Sequence, residues 1–233
     1  MSKKFSFKQF CIAHDKCAMK VGTDGVLLGA WTNCKNAANI LDVGTGSGLI
    51  ALMLAQRSQA HIQGIDIDKD ASRQAASNFD ISPFANRLQS IQGSFIDFQT
   101  DKKYDLIVSN PPYFVDSMKS PSKARNDARH NDGLSLSDLV CKSCAMLKPY
   151  GIISLILPFD SLSTIEPLSK SAGLYLNRKT EIKPLPSVKA KRVLLEYSFI
   201  DGKLEENELI IELSRHLYSP EYIKLCKDFY LAM

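Results

Sequence analysis

No stretch of this 233-residue chain approaches the eighteen or so consecutive apolar residues that a membrane-spanning helix needs. The opening residues, MSKKFSFKQF, lack the apolar centre of a secretory signal, so a cytoplasmic location is expected. Cysteine is sparse and scattered, at 11, 17, 34, 141, 144 and 226, which excludes a disulfide framework. Cys141 and Cys144 have CxxC spacing but no second pair to complete a zinc site, and the four histidines (14, 61, 130 and 216) form no ligand cluster. No metal is expected. Net charge is only +4, too small by itself to announce a nucleic-acid partner. There is no internal repeat, low-complexity tract or evident linker. With 45% hydrophobic residues the chain has enough apolar material for one sizeable core.

What is present is concentrated in three short motifs. The first is Asn110-Pro111-Pro112-Tyr113, which follows the apolar run Tyr104 to Ser109. Neither proline can donate to a sheet ladder, so the tetrapeptide sits at a strand's carboxyl end, where open α/β sheets bind ligands. Stiffened by two prolines, the Asn110 side-chain oxygen and a neighbouring backbone carbonyl form a pair of acceptors matched to the two hydrogens of a planar NH2 group. Tyr113 offers a face for stacking a flat substrate. On its own such a tetrapeptide is more often an ordinary turn.

The second motif is NILDVGTGSG, residues 39–48: an apolar strand, Asp42, then Gly44, Gly46 and Gly48. Glycines at a strand-to-helix turn let the backbone approach a ligand and aim free amides at it. A dinucleotide turn would read GxGxxG, but Leu49 stands where its third glycine belongs, which argues against a pyrophosphate. Asp42 would repel phosphate and could accept hydrogen bonds from a cationic amino-acid group. S-adenosylmethionine suits this turn better than NAD. The third motif is HIQGID, a strand ending in Asp66 about twenty residues beyond the glycines, where an acid can accept both hydroxyls of a ribose.

Glycine turn, Asp66 and NPPY, in that order and one strand-helix step apart, resemble the class I S-adenosylmethionine-dependent methyltransferases that act on amino nitrogens through an NPPY motif. Within that group the stretch FKQFCIAHDKCAMKVGTDGVLLGAW and the closing YSPEYIKLCKDFYLAM are similar to bacterial enzymes that methylate the 6-amino group of adenine 37 of valine tRNA. The resemblance runs essentially end to end. It implies cofactor contacts at Asp42, Gly44, Gly46, Gly48 and Asp66, and a target base held by Asn110, Pro111, Pro112 and Tyr113. Many relatives place an acid after the fourth strand to bind the cofactor adenine. Here that position reads Gly93-Ser94-Phe95-Ile96-Asp97, leaving Ser94 or Asp97, with Phe95 between them, as candidates.

The charge is unevenly spread. Residues 1–20 carry five lysines against one acid, and residues 170–192 seven basic residues against Glu181. Lys119, Lys123, Arg125 and Arg129 follow NPPY directly. Basic runs are usually solvated loops, but three of them flanking one motif favour RNA, with Lys20, Lys189, Lys191 and Arg192 the further candidate contacts. The expected partner is tRNA and the expected state a monomer. Two rival substrates share the planar NH2 group: a protein glutamine amide and a guanine amino group of ribosomal RNA. A non-catalytic RNA-binding module is the rival from another class.

Alternating patterns predict strands at about 39–43, 61–66, 88–92, 104–109 and 151–157, with helices at about 48–57, 69–79 and 135–147 between them. Phe5 to Ile12 reads as a short strand, and TDGVLLGAW as a helix capped by Thr23 or Asp24. After a helix near 160–172 come strand-like runs at 174–182, 191–200 and 207–213, then a last helix at 222–231, in which Phe229 and Tyr230 are expected to be core anchors. The expected fold is a doubly wound α/β, Rossmann-like methyltransferase sheet of seven strands, mostly parallel with an antiparallel edge strand. Residues 1–233 form one domain, with 1–35 covering the substrate and cofactor side and 36–233 the core.

Overall fold

A computed structural model describes residues 4–17, 19–112 and 134–233. Tyr113, Lys119, Lys123, Arg125 and Arg129 lie outside the described residues. The chain opens with a hairpin, β1 (Lys4–Ser6) and β2 (Cys11–Ala13), followed by α1 (Thr23–Trp31). Then come β3 (Asn39–Val43), α2 (Leu49–Arg57), β4 (His61–Asp66), α3 (Lys69–Asp80), β5 (Leu88–Gln92) and β6 (Tyr104–Ser109). The second half holds α4 (Leu136–Met146), β7 (Leu147–Pro158), α5 (Leu162–Ser171), β8 (Tyr175–Lys183), β9 (Arg192–Ser198) and β10 (Glu205–Ile210). A small hairpin, β11 (Glu212–Ser214) and β12 (Leu217–Tyr218), leads to α6 (Pro220–Cys226).

Eight strands form the central sheet in the order β10-β8-β9-β7-β6-β3-β4-β5. From β7 to β5 all neighbours are parallel; β9 runs antiparallel to both β7 and β8, and β10 is parallel to β8. The carboxyl ends of β3, β4, β5, β6 and β7 therefore share one rim. Alternate residues of each strand face opposite sides. Ile40, Ile62, Leu106 and Val108 pack with α1, α2 and α6, whereas Leu41, Val43, Ile65 and Ile107 pack with residues of α4 and α5. Two cores flanking one sheet make the fold doubly wound, as the alternating pattern predicts.

The sheet departs from expectation in having eight strands where seven were expected. The outer strand β10, which overlaps the strand-like run expected at 207–213, is rich in glutamate, and it is held by register pairing with β8 and by ion pairs of Glu206 with Lys179 and Glu208 with Lys183, both 2.5 Å. Charges of this kind also keep an open edge from pairing with other chains. The amino-terminal stretch folds as a two-stranded hairpin, not one strand. α1 is capped by neither Thr23 nor Asp24: Gly22 is its N-cap without a side-chain bond, and Asp24 is paired with Arg192 at 2.8 Å. The last helix starts earlier and stops at Cys226. Beyond it Phe229 is buried, its carbonyl accepts the Lys8 amide at 2.8 Å, and Tyr230 packs on Phe7. The chain's two ends are thus fastened together.

Candidate active site

The site is built on the carboxyl rim, where β3 gives way to α2. Gly44, Gly46 and Gly48 have φ of 71°, 56° and 83°, a left-handed region in which a side chain costs roughly 1 kcal/mol or more. Among the described residues, a Cβ on Gly44 or Gly46 would meet nothing within 4 Å, so both border open space there. One on Gly48 would strike the Phe79 ring. The amides of the three glycines and of Thr45 are not left free, contrary to expectation. Gly44 and Thr45 both donate to the Ile65 carbonyl (2.9 and 3.1 Å), Gly46 to Asp66 Oδ2 (2.8 Å) and Gly48 to the Thr45 carbonyl (2.8 Å). β4 consumes the donors that a phosphate would need. What remains is a smooth backbone wall.

Asp42 lies beneath this wall and does not line the cavity described below; it is completely buried. Its Oδ2 accepts the Thr45 hydroxyl at 2.6 Å, and its Oδ1 has no hydrogen-bond partner among the described residues. Burial pushes the carboxyl up to about 7, against the Thr45 bond and the nearby Ala51 amide of the first turn of α2, which both favour the charged form. Gly64 of β4 makes room for this pair, since a Cβ there would come within 2.6 Å of Thr45 Oγ1. Asp66 sits one strand over, half-buried. Its two oxygens take the Asp68 amide (2.9 Å) and the Gly46 amide (2.8 Å), and burial raises its carboxyl as well, opposed by those two bonds.

Asn110 follows β6 directly, and the Ser109 hydroxyl ties that strand's end to the Val43 carbonyl at 2.8 Å. The result is a single cavity of about 280 Å³, lined by the turn from Gly44 to Ser47, by Met19, Lys20 and the start of α1, and by Asn110. The glycine turn and the first NPPY residue, sixty-odd positions apart in sequence, thus share one wall. Pro111 is buried and Pro112 exposed. Beyond β5, the Gly93 amide donates to the Asp66 carbonyl at 2.9 Å and holds the next loop close. There Ser94 is half-buried, Phe95 is packed in the core beside Ile91 and Phe98, and Asp97 is exposed.

Asn78 was not singled out in the sequence, because it reads as an ordinary polar residue of an amphipathic helix. It is 1% exposed on α3, and its amide bridges two distant segments. Oδ1 accepts from the Ala13 amide (2.9 Å), and Nδ2 donates to the carbonyls of Ala13 and Ser47 (both 2.8 Å). The stretch that brings Met19, Lys20 and Gly22 to the cavity therefore leaves a point fixed to the glycine turn. His14 Nδ1 accepts the Val21 amide at 3.0 Å and closes that segment into a loop.

The basic candidates are divided. Lys20 is exposed at the cavity, and Lys189 and Lys191 are exposed on the loop between β8 and β9. Arg192 instead spends its Nε on Asp24, tying β9 to α1 at the cavity mouth. A larger hollow of about 460 Å³ lies at the opposite end of the sheet, beside Arg57, but that guanidinium is occupied by the carbonyls of Gly29 and Thr32. Among the described residues no group of three or more His, Cys, Asp or Glu could hold a metal ion, and no helix is long and apolar enough to cross a membrane.

Comparison with known proteins agrees with this geometry: the model of the methyltransferase small domain matches residues 20–156. The chain belongs to the methyltransferase small domain family. The matched stretch runs from Lys20, which lines the cavity, through the glycine turn, Asp66 and NPPY into β7. A relative from Parabacteroides distasonis, named tRNA1(Val) (adenine(37)-N6)-methyltransferase, is 51% identical over 232 residues, 98% of each chain. One of the same name from Trichodesmium erythraeum is 46% identical, again over 98% of both chains. Among solved structures, a predicted O-methyltransferase of Agrobacterium tumefaciens superposes with a TM-score of 0.69 at 20% identity, covering 88% of this chain and 96% of that one. The Thermus thermophilus 16S rRNA N2 G1207 methyltransferase gives 0.57 at 19% identity, covering 85% of this chain and 50% of that one. These likenesses show the methyltransferase fold.

Proposed function

We propose that this protein methylates the 6-amino group of adenine 37 in tRNA1(Val), using S-adenosylmethionine. The observation that carries the proposal is the shared cavity, in which a glycine wall without free donors meets the first residue of NPPY. The names of full-length relatives support the choice of tRNA and of nucleotide.

The residues present fit the cofactor. Open space in front of Gly44 and Gly46 admits its amino-acid end, and the orphaned Oδ1 of Asp42 leaves negative charge beneath that wall for an ammonium group. Asp66 accepts the ribose hydroxyls through the lone pairs that its two amide bonds leave over. Ser94, Phe95 and Asp97 follow Asp66 in space and would border the adenine ring, with Ser94 better placed than the exposed Asp97. Residues 1–35 act as the cover of a single domain. When bound, S-adenosylmethionine supplies an electrophilic methyl group.

On the substrate side, Asn110 Oδ1 and the Pro111 carbonyl accept the two hydrogens of the adenine amino group while Tyr113 stacks on the ring. An aromatic amine delocalises its lone pair into the ring. Holding both hydrogens favours a pyramidal nitrogen whose lone pair faces the methyl group, and the same oxygens stabilise the positive charge that develops there. The proton then leaves to water, so no nucleophile and no strong base are needed; positioning supplies much of the rate. Unstacking a loop base costs a few kcal/mol at most. The test is methyl transfer from labelled S-adenosylmethionine to tRNA from cells lacking this activity, read by nucleoside mass spectrometry. N6-methyladenosine in one tRNA is expected; label in guanosine or in a glutamine-bearing protein would overturn the substrate.

A further inference from the structure

The carboxyl rim of the sheet is electrically lopsided, and the chain carries a second feature on its basic side that none of the three motifs explains. Toward β4 and β5 the rim presents Asp66, Asp68, Asp70 and Asp97 against Lys69. Toward β9, β8 and β10 it presents exposed Lys189 and Lys191, and then the hairpin β11–β12 with Arg215 and His216 at its tip. The direction of the strands puts these on the same rim as the cavity. β8 ends at Lys183 and β10 at Ile210, paired with each other, and both run parallel to β7.

Both basic elements are held in place by backbone bonds. The Lys191 amide donates to the Ile182 carbonyl at 2.9 Å, and its carbonyl accepts the Phe159 amide at 3.2 Å. The hairpin is joined to the same corner by Ile211 to Lys183 (2.9 Å), Glu212 to Pro184 (3.0 Å) and Ser219 to Ile211 (2.9 Å). His216, with φ of 66°, turns the tip. Around it Leu213, Leu217 and Tyr218 are 46%, 56% and 40% exposed, an apolar and aromatic surface beside the exposed Arg215, with Glu212 as the hairpin's one acid. Side chains of this kind suit RNA, whose phosphates take the cations and whose unpaired bases take the flat apolar faces.

Resting on tRNA as the substrate, we propose that the anticodon arm lies across the β9–β8–β10 half of the rim, with Lys189, Lys191 and the β11–β12 hairpin as its outer support. β10 is four strands from β6, whose end bears Asn110, and strands are spaced about 4.8 Å apart. The hairpin therefore stands roughly 20 Å from the target base, about the width of an RNA helix away. The acidic β4–β5 half repels the same phosphates and leaves the arm one direction to take.

The test compares tRNA affinity over a range of salt for wild type, Lys189→Glu/Lys191→Glu, Arg215→Glu, and Arg73→Glu on the exposed surface of α3. Affinity is expected to fall at least tenfold in the first two variants, with the slope of log affinity against log salt shallower by about one for each phosphate that loses its cation. Cofactor affinity, measured separately, stays within twofold and reports that the fold is intact. Arg73→Glu leaves tRNA affinity within twofold. Equal losses at Arg73 and at Arg215, or none at Arg215 and the two lysines, would overturn the placement of the arm. Absence of salt-dependent tRNA binding by wild type would instead remove tRNA as the substrate.

Discussion

Replacing Asp42 by Asn should make the empty protein more stable and a poorer cofactor binder at once. A carboxyl whose ordinary value is 3.8 and which is pushed up to about 7 resists ionisation in the folded state. Three pH units correspond to about 4 kcal/mol, an upper bound on what the ionised group costs the fold. The sign follows from linkage: the folded state holds the proton more tightly, so wild type loses stability as pH rises from about 4 to 7, and the cost is constant above that. Asn keeps an acceptor for the Thr45 hydroxyl but buries an NH2 group, returning about 1–3 kcal/mol of the gain. The variant should therefore exceed wild type by about 1–3 kcal/mol at pH 8, an advantage that disappears toward pH 4. Denaturant titration without cofactor measures it. Cofactor binding should move the other way. For two opposite charges about 5 Å apart, an effective dielectric of about 20 gives roughly 3 kcal/mol, about two orders of magnitude in affinity, which sets the scale Asp42 would contribute if the ammonium group binds above it. Wild-type affinity should rise about tenfold from pH 6 to pH 8 as Asp42 ionises, and the variant should show no such rise. A variant less stable than wild type at pH 8, or a pH-dependence of binding that survives the substitution, would refute the reasoning.

Asn110→Ala should abolish methyl transfer while cofactor affinity, by calorimetry, stays within a few-fold; loss of cofactor binding would mean that Asn110 supports the cofactor instead of the base. Asp66→Ala removes both the ribose acceptor and the partner of the Gly46 amide, so cofactor affinity should drop at least tenfold, and unchanged affinity would exclude the ribose role. Asn78→Ala deletes three buried hydrogen bonds and should cost about 2–4 kcal/mol in denaturant unfolding. It should also raise the KM for cofactor more than it lowers kcat, because the cover loses its anchor on the glycine turn; an unchanged KM would make Asn78 purely structural.

The parallel half of the fold was legible because strands buried on both faces read as apolar runs. β3 and β6 are such runs, β4 and the half-exposed edge strand β5 followed from the strand-helix alternation around them, and the glycines between β3 and α2 announced the turn. β10 was harder to place within the sheet, since EENELI has no apolar alternation and is held by lysines of β8 that only pairing brings opposite it. At the site, glycine, acid and NPPY were readable as types at a spacing. Their bookkeeping of donors was not. That Gly44, Thr45 and Gly46 spend their amides on β4, that Asp42 lies under the wall, and that Arg192 answers to Asp24 all depend on contacts between segments far apart in sequence. Gly64 carried a faint signal as a glycine inside a strand; Asn78 carried none.

The central claim is that one cavity brings the cofactor's methyl group to an amino nitrogen held at Asn110. The direct measurement is methyl transfer to unmodified tRNA1(Val) transcripts carrying adenine or guanine at position 37, for wild type and Asn110→Ala, with cofactor binding followed in parallel. Transfer to the adenine transcript alone, lost in the variant that still binds S-adenosylmethionine, is the predicted result. Equal transfer to both transcripts, or undiminished transfer by Asn110→Ala, would contradict it.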